Sequence, residues 1–226
     1  MAKDALQKID AKKRDRIFRN AAAEFARCGY HKANVNVIAQ RAGIGKGSIY
    51  LYFADKLDLY YSTFREAVRI QEKLFDSIEG MALDPLVKIE KLFDESLKIF
   101  PQYRGMFKMY FDLSTSGDER SLVDLAQLLE KRSARFFTAI LKNGIREGRI
   151  RKDLPLRYAA YVLDCIYSTF FSSLACSYQG ERFRVFTRQE LSQNGDNIKQ
   201  HVNQILNVLG TGINAPGDTR GNHSSR

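Results

Sequence analysis

Ala33-Asn34-Val35-Asn36-Val37-Ile38-Ala39-Gln40-Arg41-Ala42-Gly43-Ile44-Gly45-Lys46-Gly47-Ser48-Ile49-Tyr50-Leu51-Tyr52-Phe53 is the stretch that decides the fold. Asn34 is a good helix N-cap, because its side-chain oxygen can accept a bond from an otherwise unpaired helix N–H. Val35, Ile38, Ala39 and Ala42 then recur at i, i+3, i+4 and i+7, one apolar face of two turns. Gly43 stands where a left-handed residue ends a helix, since it has no Cβ to clash. Ile44 can turn back into a small core. Gly45 then opens a second short helix, in which Ile49 and Phe53 share a buried face. Lys46, Gly47, Ser48, Tyr50, Leu51 and Tyr52 remain to face outward. Two short helices about a tight turn, the second bearing polar and aromatic groups, form a helix-turn-helix whose second helix fits the DNA major groove. The bland alternative is an ordinary helical hairpin with a polar face.

Charge favours the DNA reading. The chain of 226 residues carries a net charge of +10. Residues 1–56 hold twelve Lys/Arg against five Asp/Glu, so +7 of that excess lies in about a quarter of the length. A localised basic patch is the electrostatic footprint of a phosphate-binding surface. Lys12, Lys13, Arg14 and Arg16 precede an amphipathic helix in which Ile17, Phe18, Ala21, Ala22, Phe25 and Ala26 form the apolar side. That helix is expected to end at Gly29 and to pack across the hairpin, with Lys13 and Arg14 beside the same groove. Asp55 caps a further helix, with Asp58 three residues on in the manner of a capping box. Lys56 in its first turn is a candidate phosphate clamp.

On these residues the chain resembles the TetR/AcrR family of bacterial transcriptional regulators over about 12–64. Phe25, Gly29, Ile38, Ala39, Ala42, Gly43, Lys46, Gly47, Ser48, Tyr50, Tyr52, Phe53, Lys56 and Leu59 carry the likeness. It implies an all-α homodimer, usually a repressor released from a palindromic operator by a small ligand. It implies that Lys46, Gly47 and Leu51 lie near base edges and that Ser48, Tyr50, Tyr52 and Lys56 meet phosphates, with Asn34 and Asn36 at the neighbouring helix start. The chain departs from the family where Ala33-Asn34 replaces a common pair of threonines, where Gly45 replaces a capping serine, and where Val37 stands at an often polar position.

The remainder reads as a larger helical region. Expected domains are a helix-turn-helix head over 1–56, a ligand-binding and dimerisation domain over 57–210, and a disordered tail over 211–226, which is rich in Gly, Asn, Ser and Thr. A helix from Asp55 to about Glu79, with Leu57, Tyr60, Tyr61, Phe64, Val68, Phe75 and Ile78 on its apolar side, is long enough to couple the two domains. Further helices are expected near 84–100, 101–114, 119–147, 155–179 and 195–210, with 181–194 as a connector. The segment 155–179 is apolar nearly all round, and the last helix carries an apolar stripe. Tyr161, Cys165, Thr169, Ile198, Val202, Ile205 and Leu209 are the candidate dimer surface, against the alternative that both helices close a monomer core. Phe93, Phe100, Tyr103, Phe107, Tyr110, Phe111, Phe137 and Tyr167 are candidate pocket residues for a hydrophobic or aromatic effector, although aromatics at helical spacing more often form core.

An enzyme is disfavoured. His31, His201 and His223 are far apart, and Cys28, Cys165 and Cys176 lack metal-ligand or redox spacing. The run Gly43–Ser48 fails as a phosphate loop, because Gly47 separates Lys46 from Ser48 and Gln40 stands where the leading glycine is needed. The expectation is therefore no cofactor and no metal. The partners expected are double-stranded DNA bearing an inverted repeat, a second copy of the chain and a small-molecule effector, with no membrane. Residues 1–20 are charged throughout, no stretch approaches a membrane span, and three unpaired cysteines suit a reducing interior, which points to the cytoplasm. A rival within DNA binding acts through protein partners at dispersed genomic sites, without an inducer.

Overall fold

The computed structural model describes residues 6, 8–113, 119–191 and 195–214. Among them the chain is all-α, with nine helices: α1 Ala11–Lys32, α2 Val35–Arg41, α3 Lys46–Tyr52, α4 Lys56–Glu79, α5 Pro85–Asp112, α6 Glu119–Arg146, α7 Leu156–Ala175, α8 Ser177–Thr187 and α9 Gly195–Ile213. They divide into two compact units, one of Met1–Gln71 with Ile99–Leu129, the other of Glu72–Lys98 with Glu130–Arg226.

The first unit is built around the apolar side of α1. Ile17, Phe18, Ala21, Ala22 and Phe25 are buried there with Ile38, Ala39, Ala42, Ile49 and Phe53 of the hairpin. Leu59, Tyr60, Phe64 and Val68 of α4 and Met106 and Met109 of α5 complete this core, so it draws on residues well beyond 56. Leu57, expected on the buried side of α4, is 44% exposed. Gly105 lets α5 lie against α1, since a Cβ there would stand 2.8 Å from the Ala22 carbonyl carbon and the Ala23 nitrogen. Tyr103 fixes the same contact by donating to Asp15 at 2.8 Å.

In the second unit Phe75 stacks on Phe136 at 4.1 Å, and Phe93 meets Tyr167, Phe170 and Phe171 at 5.5, 5.5 and 6.1 Å. Arg132 ties α6 to α4 through Asp76 at 2.6 Å and Glu79 at 3.0 Å, with its guanidinium 5.5 Å from the Phe75 ring.

The structure corrects several helix boundaries. The helices expected at 84–100 and 101–114 are one, because Pro101 lies inside α5. A proline inside a helix removes one hydrogen bond and crowds the carbonyl four residues back, a cost that burial of Phe100, Met106 and Met109 offsets. The helix expected over 155–179 breaks at Cys176, whose backbone is extended (φ −122°, ψ 129°). Residues 181–187, half of the expected connector, belong to the helix α8, and 192–194 lie outside the described residues. Thr211–Ile213, placed in a disordered tail by composition, extend α9; Ile213 is buried, and Asn214 bridges to Ile150. Residues 215–226 of the expected tail lie outside the described residues. Among those described, no single helix is long and apolar enough to cross a membrane.

Candidate nucleic-acid interface

The hairpin is set by its caps. Asp10 opens α1 by accepting from the Lys13 amide at 3.1 Å, and Asn34 opens α2 by accepting from the Asn36 amide at 2.9 Å. Gly43 takes φ 66°, the left-handed turn its position requires. Gly29 also takes a positive φ of 70°, but it breaks α1 rather than ending it, and a further helical turn runs to Lys32. Gly45 caps α3 without a side-chain bond. At the start of α4 the Asp55 carboxylate accepts from the Asp58 amide at 2.8 Å, while Asp58 accepts from the Ala54 amide at 3.1 Å.

α3 buries only Ile49. Lys46 and Gly47 are exposed, Tyr50 and Leu51 are 51% and 64% exposed, and Ser48 is half-buried. Asn34 and Asn36 are exposed at the start of α2. A leucine left in water beside a free lysine on a seven-residue helix gains nothing for the fold. Such a surface suits base edges, the lysine for guanine acceptors and the leucine for a thymine methyl.

Four residues expected at the DNA, Lys13, Arg14, Tyr52 and Lys56, are engaged within the protein. Lys13 donates to the Tyr52 hydroxyl at 3.0 Å, which joins α1 to the end of α3. Arg14 pairs with Glu66 at 2.8 Å. The Lys56 ammonium donates to the carbonyls of His31 and Ala33 at 3.0 and 3.4 Å and lies 4.8 Å from the Tyr30 ring centre. Lys56 thus pins the start of α4 to the α1–α2 corner. Lys12 and Arg16 are exposed on the same end of α1.

Two buried carboxylates hold this scaffold, and the sequence reading passed over both. Glu24 accepts from Arg27 at 2.8 Å, from Arg41 at 3.3 Å and from the Asn34 amide at 3.4 Å. Burial alone would raise its pKa; the Arg27 hydrogen bond, the Asn34 amide and the two guanidinium charges outweigh that and lower it. Glu66 is lowered in the same way, against its burial, by Arg69 and Arg14. The available signal was a glutamate on the apolar stripe of α1, between Ala21 and Cys28, with an arginine three residues on.

The candidate pocket residues divide between the units. Phe93, Phe137 and Tyr167 come together in the second, where Tyr167 lies 6.3 Å from Phe137 and its hydroxyl meets the Ser96 hydroxyl at 2.8 Å. Phe100, Tyr103, Phe107, Tyr110 and Phe111 belong to the first, because the continuous helix α5 passes from one unit to the other after Lys98. Of the candidate dimer residues, Tyr161 is 68% exposed, while Cys165, Thr169, Ile205 and Leu209 are half-buried. Ile198 and Val202 are buried within the second unit and face its own core.

Residues 17–62 match the family model described as bacterial regulatory proteins, tetR family. The fatty acid metabolism regulator protein of Bacillus subtilis is 30% identical over 158 residues, covering 64% of this chain and 74% of that protein. The chain belongs to the TetR family. The transcriptional repressor KstR2 of Mycolicibacterium smegmatis is 27% identical over 146 residues, covering 65% of this chain and 71% of the repressor. Among solved structures, FadR from Bacillus subtilis in complex with stearoyl-CoA superposes with a TM-score of 0.64 at 23% identity, covering 88% of this chain and 98% of that one. KstR2 of Mycobacterium tuberculosis gives 0.61 at 21%, covering 92% and 97%. These TetR-family relatives are transcriptional regulators rather than enzymes, and the shared fold is an N-terminal helix-turn-helix followed by a larger helical region.

Proposed function

We propose that this TetR-family regulator is a homodimeric, sequence-specific repressor that binds an inverted-repeat operator and is released by an apolar small molecule. In this reading residues 1–56 are the DNA-binding head, and 57–210 bind the effector and the second copy. The observation that carries it is the outward face of α3, where Lys46, Gly47, Tyr50 and Leu51 stand free of the core. Base contacts give specificity and phosphate contacts give affinity, so Lys46, Gly47 and Leu51 read sequence while Ser48, Tyr50, Asn34, Asn36, Lys12 and Arg16 fix the head on the backbone.

Dimerisation is supported by a second apolar side on α7. α7 buries Ala160, Leu163, Tyr167, Phe170 and Phe171 on one side and exposes Tyr158, Tyr161 and Val162 on the other. α9 buries Ile198 and Val202 yet leaves Val208 74% exposed. Two heads reading an inverted repeat must stand about 34–36 Å apart, which one copy cannot supply. For the effector, the aromatic group around Phe93, Phe137 and Tyr167 offers an apolar environment. Relatives include a regulator of fatty acid metabolism and a structure holding stearoyl-CoA.

The test is capture of sheared genomic DNA on the purified protein at about 150 mM salt, where phosphate-only binding is weakened. A few fragments sharing an inverted repeat are expected, and Lys46→Ala should lower the preference for them over random duplex by about tenfold or more. Many dispersed fragments with no shared repeat would instead favour the partner-mediated reading.

A further inference from the structure

A carboxyl in the second unit stands beside aromatic rings with no cation to pair it. Asp164 of α7 accepts from the Ser133 hydroxyl of α6, and among the described residues no lysine, arginine or histidine bonds it. Arg132, next to Ser133 on α6, is held by Asp76 and Glu79, while Lys131, Arg135 and Arg157 stand exposed. One turn further along each helix the same two faces meet again. Phe137 follows Ser133 at i+4, Tyr167 follows Asp164 at i+3, and their rings lie 6.3 Å apart. The space between α6 and α7 is thus built as a polar rung beside an aromatic rung. The Tyr167 hydroxyl carries the polar side on to Ser96 of α5 at 2.8 Å. Burial pushes the Asp164 carboxyl above the ordinary carboxylate range, and the Ser133 bond only partly opposes that. A carboxyl that a fold buries and does not pair costs stability, so a chain that keeps one points to a use for it.

We propose that Asp164 anchors the polar end of the effector, and that the effector is an apolar molecule carrying a cationic nitrogen. This rests on the effector reading above and narrows it. A carboxylate with one hydroxyl partner keeps acceptor positions free, and an ammonium fills them with charge-assisted hydrogen bonds. The Phe137 and Tyr167 rings one turn away supply π-faces for the same cation and an apolar wall for its tail. Such a ligand brings the counter-ion that the protein itself withholds. An anionic head is disfavoured, because it sets like charge against Asp164 at short range where water screens poorly. A neutral hydroxyl finds the same acceptors but gains no ion pair. The local field also runs against that of the whole chain. The Tyr161 hydroxyl of α7 lies in the field of Asp164 and Glu130, whereas the chain carries +10. A preference for a cation would therefore arise from this site and not from net charge.

The test is isothermal titration calorimetry of the full-length protein near neutral pH with three probes that share one tail and differ in the head: decylamine, decanol and decanoate. Wild type should bind decylamine at least about tenfold tighter than decanoate, the factor that one hydrogen bond to a charged group supplies. Asp164→Asn keeps the size of the side chain and an acceptor for Ser133, so unchanged circular dichroism and melting are expected. It should erase the preference for decylamine while leaving decanol binding as in wild type. Ser133→Ala is the second variant. It keeps the charge but frees the carboxyl to turn away, and should weaken decylamine binding by about threefold or more. A preference for decylamine that survives in Asp164→Asn overturns the assignment of this carboxyl. If decanol or decanoate binds wild type more tightly than decylamine does, the apolar-effector reading stands and the cationic one fails. If none of the three binds, both fail.

Discussion

Single residues decide how firmly the head is held. Glu24 and Glu66 are buried carboxylates whose folded pKa values lie below the unfolded value of about 4.3. For such groups the stabilisation is complete above the unfolded pKa and is lost as pH falls through the folded one. The regulator should therefore keep a steady urea midpoint from neutral pH down to about 5 and lose stability steeply below about 4. Glu24→Ala removes charge-assisted hydrogen bonds from Arg27 and Arg41 and should cost about 2 kcal/mol at pH 7, while flattening part of that acid limb. Retention of the full acid limb in the Glu24→Ala, Glu66→Gln double variant would count against this assignment. Tyr103 belongs to the same scale. Burial and its bond to Asp15 push its pKa up to about 12, so it stays a neutral donor throughout the working range.

At the scale of helices, one substitution type has opposite expected outcomes at two sites. Replacing an interior helical glycine by alanine ordinarily stabilises by about 1 kcal/mol. Gly47, in the first turn of α3, has room for that change, because a Cβ there would have nothing within 4 Å. Gly47→Ala should raise the melting temperature slightly while weakening operator binding, if the backbone must approach DNA at that point. At Gly105 the same Cβ would overlap the backbone of Ala22 and Ala23, atoms that cannot rotate away. Gly105→Ala should therefore destabilise by about 1–3 kcal/mol despite its better helix propensity. Denaturant melts of the two variants read both signs directly. Sequence pattern alone assigns the two glycines the same effect, because it contains no information on what faces them.

For the whole molecule, salt dependence links head and dimer. Each phosphate neutralised contributes about −0.9 to the slope of log affinity against log salt. A dimer placing two heads on an operator should show about twice the slope of a monomer with one head. The double variant Tyr161→Glu with Val162→Glu should thus bind operator DNA far more weakly and with about half the wild-type slope, by fluorescence anisotropy between 50 and 200 mM salt. An unchanged slope would mean that one head accounts for all phosphate contacts.

The sequence by itself determined the helix-turn-helix, its caps at Asn34 and Asp55, the left-handed turn at Gly43, the apolar side of α1 and the all-α class. Each of these rests on neighbours within about two helical turns, where spacing and conformational preference act without reference to the rest of the chain. Only the tertiary structure decided that α5 runs through Pro101, that Thr211–Ile213 extend α9, that Ile198 and Val202 face inward, and that Arg14 and Lys56 are engaged by Glu66 and by two carbonyls. The engagements of Arg14 and Lys56 turn on partners between 23 and 52 positions away. Whether a basic side chain meets solvent or a buried acceptor, and whether an apolar face meets the core or remains outside, is fixed by the packing of distant segments rather than by local pattern.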